Sequence, residues 1–232
     1  MADEPIDTVL LIADISGYTR FMLANRMSIS HGQGIISDLL RAVIAAARLP
    51  LTVEKLEGDA VFLAAQRTPD LDWPATCAAI GSQLPALVGS FDAELRRLAQ
   101  DNVCNCPTCM HMHQLALKVI GHVGTALRYR LGRFDELAGP DVIAVHRLLK
   151  NGLASNRYLL LTESAFQALR PAGSWMSATE DLEGLGRQDI RWLPLHAPIG
   201  QTSRRHFSLS DHWRKMRYTM TGWFGRRSQP AG

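Results

Sequence analysis

What the 232-residue sequence lacks narrows the problem first. No stretch approaches the roughly 18 unbroken apolar residues that read as a membrane span. The acidic start "MADEPIDT" has neither the basic nor the apolar region of a secretory leader, so the expected location is cytoplasmic. Cysteine is scarce: of four, three (Cys104, Cys106 and Cys109) fall within six residues, which sets a disulfide scaffold aside and points to metal or redox chemistry in a reducing compartment. Aromatic residues make up only 7%, and no basic stripe with interleaved aromatics runs through the body, so no nucleic-acid partner is expected.

A composition of 47% hydrophobic and 20% charged residues suits one globular domain with an appendage. The net charge of +3 is uneven. From Ser203 onward seven basic residues face only Asp211, leaving +6 in the tail and −3 over residues 1–202. The expected division is a domain over 1–198, carrying a Cys-rich insert at 101–115, and a linker with a basic amphipathic tail over 199–232. In the tail, Leu209, Trp213, Met216, Met220 and Trp223 recur every three or four residues. That pattern fits first a helix packed on its own domain or its dimer mate, and second one resting on an anionic membrane surface or in a protein groove.

Apolar periodicity predicts strands near 8–13, 51–56, 59–65, 115–122, 124–130 and 158–162, with weaker ones near 175–182 and 190–195. Helical spacing marks "IISDLLRAVIAAARL", "AELRRLAQ" and "VIAVHRLLKNGL". The order is that of an α+β protein, a ferredoxin-like βαββαβ sandwich with extra C-terminal strands and a helical tail, its helices covering one face of a mainly antiparallel sheet.

"VLLIADISGYTRFM" ends an apolar strand on Asp14 before a glycine turn, and "TVEKLEGDAVFLAA" places Asp59 at a hairpin tip. Each alone fits a capping or turn residue. On neighbouring strands the two could share Mg²⁺ or Mn²⁺, hard cations that take oxygen ligands and bridge to phosphates.

These residues carry a resemblance. "DISGYT" (14–19), "KLEGDA" (55–60), "LKVIGHVG" (117–124) and "ELAGPDVIAVHRL" (136–148) follow the order of the class III adenylate/guanylate cyclase catalytic domain. More narrowly, the chain resembles an uncharacterised bacterial cyclase-like family with a Cys-x-Cys-x-x-Cys insert. The resemblance implies a purine nucleotidyl cyclase converting ATP, less readily GTP, to a cyclic 3′,5′-nucleotide and pyrophosphate. Asp14 and Asp59 would hold two divalent ions, and the backbone of Ile15, Ser16, Gly17, Tyr18 and Thr19 would cradle the phosphates. Lys55 and Glu136 would select the base, and Arg147 would stabilise charge on the transferring phosphate. A homodimer is implied, with Asp14, Asp59 and Lys55 from one chain and Arg147 from the other. One departure matters: Ile143 stands where that family has a ribose-orienting asparagine. An apolar side chain cannot hold a sugar oxygen. This keeps open a degenerate module that binds nucleotide or a protein partner without turnover.

In "DNVCNCPTCMHMHQL", Cys104, Cys106 and Cys109 with His111 or His113 make a Cys₃His set suited to structural Zn²⁺. Free thiols, a redox pair and an iron–sulfur cluster remain as alternatives. Cys77 in "ATCAAIGSQL" reads as a small core residue, and His31 and His122 as structural.

Overall fold

The computed structural model describes residues 4–24, 29–101 and 110–195. Among them are β1 (Ile6–Ser16), α1 (Tyr18–Ala24), α2 (Ile29–Ala46), β2 (Thr52–Glu57), β3 (Ala60–Gln66), α3 (Trp73–Asp101), a 3₁₀ turn (Met112–Gln114) and β4 (Ala116–Leu131). β5 (Phe134–Ala138), α4 (Pro140–Arg147), β6 (Tyr158–Thr162), α5 (Glu163–Leu169), β7 (Met176–Leu182) and β8 (Gly186–Pro194) follow. The expected boundary at 198 and the basic tail lie outside the described residues.

The strands order as β2-β3-β1-β4-β6-β8-β7, with β5 paired to β4. Every pairing is antiparallel except β4 with β6. β1 is central and buried on both faces, which explains why it reads as a continuous apolar run. Val9, Leu11, Ala13 and Ile15 join one core with Ile36, Leu39 and Val43 of α2 and Ile80, Leu84, Leu87 and Phe91 of α3. Their three- and four-residue spacing puts each helix's apolar stripe on the sheet. Leu10 and Ile12 point the other way, into a second core with Phe62, Ile120, Leu160, and Val145 and Leu148 from α4 and its end. The expectation of helices on one face is therefore incomplete, because α4 packs on the opposite one.

The strands predicted at 115–122 and 124–130 are one 16-residue strand. Two glycines within it are there for space. A Cβ on Gly121 would lie 2.5 Å from Leu161, and one on Gly124 would lie 2.3 Å from the Asp141 carboxylate. That carboxylate accepts the Thr125 N–H at 2.7 Å and bonds His122 at 2.9 Å, while the other ring nitrogen of His122 meets Thr162 at 2.9 Å. Burial works against the ionised form of Asp141, yet these bonds outweigh it and hold its pKa below the ordinary value. His122 is thus a buried structural residue, as expected, and Cys77 is a free, buried thiol. The strand that sequence reasoning missed is β5, a short partner of the end of β4 whose Phe134 and Asp135 are exposed and whose Leu137 is buried.

Candidate functional site

The sheet register delivers the two aspartates to one place. Asp14 pairs with Ala60 across β1 and β3, so the β2–β3 hairpin tip is its neighbour, and the Ile15 N–H donates to the Asp59 carbonyl at 3.1 Å. Gly58 at that tip has φ +68°, and Gly17 after β1 has φ +88°, backbone that favours glycine. Space also restricts position 17, since an added Cβ would sit 3.0 Å from the Gln114 carbonyl. Both aspartates line a cleft of about 970 Å³, as do Ile15, Ser16, Gly17, Tyr18 and Thr19.

Lys118, which sequence reasoning missed, completes this centre. It stands opposite Asp14 on β4, and its Nζ is 3.0 Å from the Asp14 carboxylate and donates to the Leu149 carbonyl at 3.1 Å. Lys118 and Asp14 are each only 17% exposed, so their attraction is weakly screened. The one available signal was a lone lysine inside the apolar strand "LKVIG"; its partner depends on register. Among the described residues Asp59 has no such counter-ion bound to it. Burial first, and then the charge of Asp14, push its carboxyl above the ordinary value, against the lowering by a backbone hydrogen bond and by Lys118.

The donor set fits a divalent cation. A second, partly uncompensated carboxylate beside Asp14 leaves negative charge that a cation would relieve. Mg²⁺ is commonly bound through one or two carboxylates plus substrate phosphates. Among the described residues no group of three or more His, Cys, Asp or Glu side chains is placed to hold a metal ion, here or elsewhere, so at this site the chain supplies two carboxylates.

The other expected residues form a separate group. Lys55 lies 3.3 Å from Glu136 and 3.4 Å from Glu57, and Glu57 accepts from His146 of α4 at 3.1 Å. Burial disfavours the Lys55 ammonium, but the bond to Glu136 and the two carboxylate charges outweigh it and raise its pKa. Neither Lys55 nor Glu136 lines the aspartate cleft. Within one chain, Lys55 stands with Glu136 of β5 and Glu57 of β2, the latter bonded to His146 of α4, rather than with the aspartate pair. Ile143 on α4 is half exposed, and Arg147 pairs with Glu183 at 2.9 Å on the surface. An exposed pair of this kind contributes only about 0–1 kcal/mol. His113 lines the cleft and His111 precedes the 3₁₀ turn, whereas Cys104, Cys106 and Cys109 lie outside the described residues.

Residues 36–158 match a family described as a protein of unknown function, DUF2652. An uncharacterized protein of Mycobacterium tuberculosis, Rv2561/Rv2562, is 31% identical over 162 residues, covering 69% of this chain and 73% of the relative. The chain belongs to the DUF2652 family. The fold of this DUF2652 protein is that of adenylyl and guanylyl cyclase domains. The adenylyl cyclase CyaB from P. aeruginosa superposes with a TM-score of 0.60 at 11% identity, over 86% of this chain and all of that one. The guanylate cyclase domain of RhGC from Catenaria anguillulae, solved in complex with GTP, gives 0.58 at 14% identity over 83% and 98% of the two chains. The guanylyl cyclase Cya2 gives 0.60 at 13% over 86% and 98%. No helix among the described residues is long and apolar enough to cross a membrane.

Proposed function

We propose that this DUF2652 protein is a nucleotide-binding, cyclase-fold protein that closes a purine nucleoside triphosphate, ATP before GTP, into its cyclic 3′,5′ form. The observation that carries the reading is the aspartate pair, with Lys118 bound to one member and only partial compensation of the other, in a cleft beside the Gly17 turn. Asp14 and Asp59 would hold Mg²⁺ or Mn²⁺, up to two ions, which when bound neutralise charge on the phosphates. The Lys118 ammonium adds a fixed positive charge at the same point, and the turn from Ile15 to Thr19 sets backbone beside the phosphates. In the reaction the ribose 3′ oxygen bonds to the α-phosphorus, the bond from that phosphorus to the pyrophosphate breaks, and the 3′ proton passes to solvent. Lys55 and Glu136 would meet the base and Arg147 the transferring phosphate, all three from the partner chain, because Lys55 stands with Glu136 and Glu57 rather than in the aspartate cleft; this replaces the allocation of Lys55 to the aspartates' own chain.

A second reading has its own support. Ile143 is exposed and apolar, and both Lys55 and Arg147 are already ion-paired within the chain. This favours nucleotide binding with little or no turnover. Losing a comparable transition-state donor costs about 10²–10³ in rate. Incubation of the protein with ATP or GTP and Mn²⁺ or Mg²⁺ is therefore expected to yield cyclic nucleotide and pyrophosphate slowly. Ile143→Asn should raise the rate and Arg147→Ala should remove it. No product from either purine, with no gain from Ile143→Asn, would leave the binding module.

The Cys₃His set of the insert is a separate proposal. Elemental analysis should find close to one zinc per chain, and a chelator should lower the melting temperature, since metal affinity at such a site is folding free energy. Protein that contains no zinc and melts unchanged would leave the thiols without that role.

A further inference from the structure

Three cations line the aspartate cleft, and among the described residues only one of them is bound to the pair. Arg20 is exposed and Arg157 is held by Asp92 of α3, whereas the Lys118 ammonium lies 3.0 Å from the Asp14 carboxylate. The same ammonium donates to the Leu149 carbonyl at 3.1 Å, just past the end of α4. That second bond holds Lys118 in place even when Asp14 is engaged elsewhere. A metal ion arriving at Asp14 therefore meets a positive charge that is only 17% exposed and poorly screened by solvent. It must displace the ammonium from the carboxylate or bind beside it, and the repulsion of like charges at close range opposes both courses. The charge count gives the consequence. With both carboxylates ionised, Asp14, Asp59 and Lys118 set two negative charges against one positive, so one divalent ion alone leaves the group with a positive excess. A partly buried charge without a partner is unfavourable. An anion that enters with the metal ion removes the excess.

We propose that Lys118 is an internal counter-ion that makes metal binding conditional on an anion: it occupies Asp14 while the cleft is empty, disfavours a bare divalent ion, and admits one that arrives bound to phosphate. The inference rests on the nucleotide reading above and deepens it, since it assigns the control of the same site. The chain then takes up metal and nucleotide together and keeps no divalent ion between ligands. The unequal treatment of the two carboxylates fits this role. Among the described residues Lys118 is bonded to Asp14 and not to Asp59, so one ligand is held and the other stands open. A neighbouring unit charge changes the proton affinity of a carboxylate by about tenfold to a thousandfold, and a divalent ion feels it at least as strongly.

The test is calorimetric titration of the full chain with Mn²⁺ alone, without nucleotide. Wild type is expected to bind it no more tightly than about 10⁻⁴ M, the weak end of oxygen-ligand sites. Lys118→Gln, which keeps a donor without the charge, should bind it at least about tenfold more tightly. Lys118→Met should do the same and serves if the glutamine variant does not fold, while Lys118→Arg, which keeps the charge, should bind as wild type does. Both neutral variants should melt below wild type in the absence of metal, because the two carboxylates then face each other without a counter-ion. Mn²⁺ should raise their melting temperature more than that of wild type. Neutral variants that melt lower but bind Mn²⁺ no more tightly make Lys118 a structural strut and overturn the proposal, as does wild type that binds bare Mn²⁺ tighter than the stated limit. Titration with ATP in Mn²⁺ separates the two readings. Wild type that binds ATP there, beside neutral variants that gain no Mn²⁺ affinity, loses only the counter-ion role. Wild type that binds no ATP overturns the nucleotide reading and the conditional role with it.

Discussion

Asp59→Asn is expected to melt higher than wild type at neutral pH and, in the same protein, to lose metal-dependent nucleotide binding. The first effect follows from the direction of the pKa shift. Burial and the Asp14 charge hold the Asp59 carboxyl above its ordinary value of 3.8 in the folded chain. Its ionised form is therefore less favourable folded than unfolded. Stability is fully retained below 3.8, falls as the pH rises through the raised folded value, and stays reduced above it. The amide removes the penalty, so the gap between variant and wild type should be widest near neutral pH and close on acidification. The second effect follows from ligand chemistry, since an amide gives a cation no charge. Removing even an outer partner of a metal ligand costs about 10–100-fold, so loss of a carboxylate ligand should exceed about 100-fold. Melting with and without ATP and Mn²⁺ reads both effects. A ligand at 100 times its dissociation constant adds about 2.7 kcal/mol to wild type, and should add nothing to Asp59→Asn or Asp14→Asn. Equal shifts in all three proteins would remove the aspartates from the site.

Gly81→Ala should be the most damaging of the small substitutions in the helical layer. Gly81 is buried in α3, and a Cβ there would lie 1.9 Å from the Leu169 carbonyl oxygen at the end of α5. The obstacle is backbone, so no side-chain rotation relieves it, and α3 and α5 must separate. Overpacking of this kind costs about 1–3 kcal/mol and more where backbone must move. At 3 kcal/mol, a chain of this size should lose about 6–12 °C in melting temperature. Gly89→Ala in the same helix is the control. Nothing lies within 4 Å of its added Cβ, and alanine is favoured over glycine in a helix interior by about 1 kcal/mol, so its melting temperature should rise. A Gly81→Ala protein that melts with or above wild type would show that the two helices are not in contact there.

The positions of these effects show which physics was local. Apolar periodicity in "VLLIAD" and in α2 and α3 reflects burial that each segment undergoes on its own face, so the sequence alone marked most strands, the main helices and the α+β class. Asp14 and Asp59 were legible because each follows a short-range rule, one at a strand end and one at a hairpin tip. β5 was not legible. It is five residues long, and its pairing with Leu127–Leu131 rather than its own pattern makes it a strand. The same holds for Gly121 and Gly124, whose meaning lies in Leu161 and Asp141, residues distant in sequence. Lys118 reaches Asp14 only through the β1–β4 register, and Arg157 reaches Asp92 from 65 residues away. Electrostatic partnership acts through space and leaves no periodicity in the chain. Composition and pattern therefore determined the elements and the two carboxylates, while tertiary structure decided which cations face them, which face α4 covers, and that Lys55 and Glu136 stand apart from the aspartate cleft.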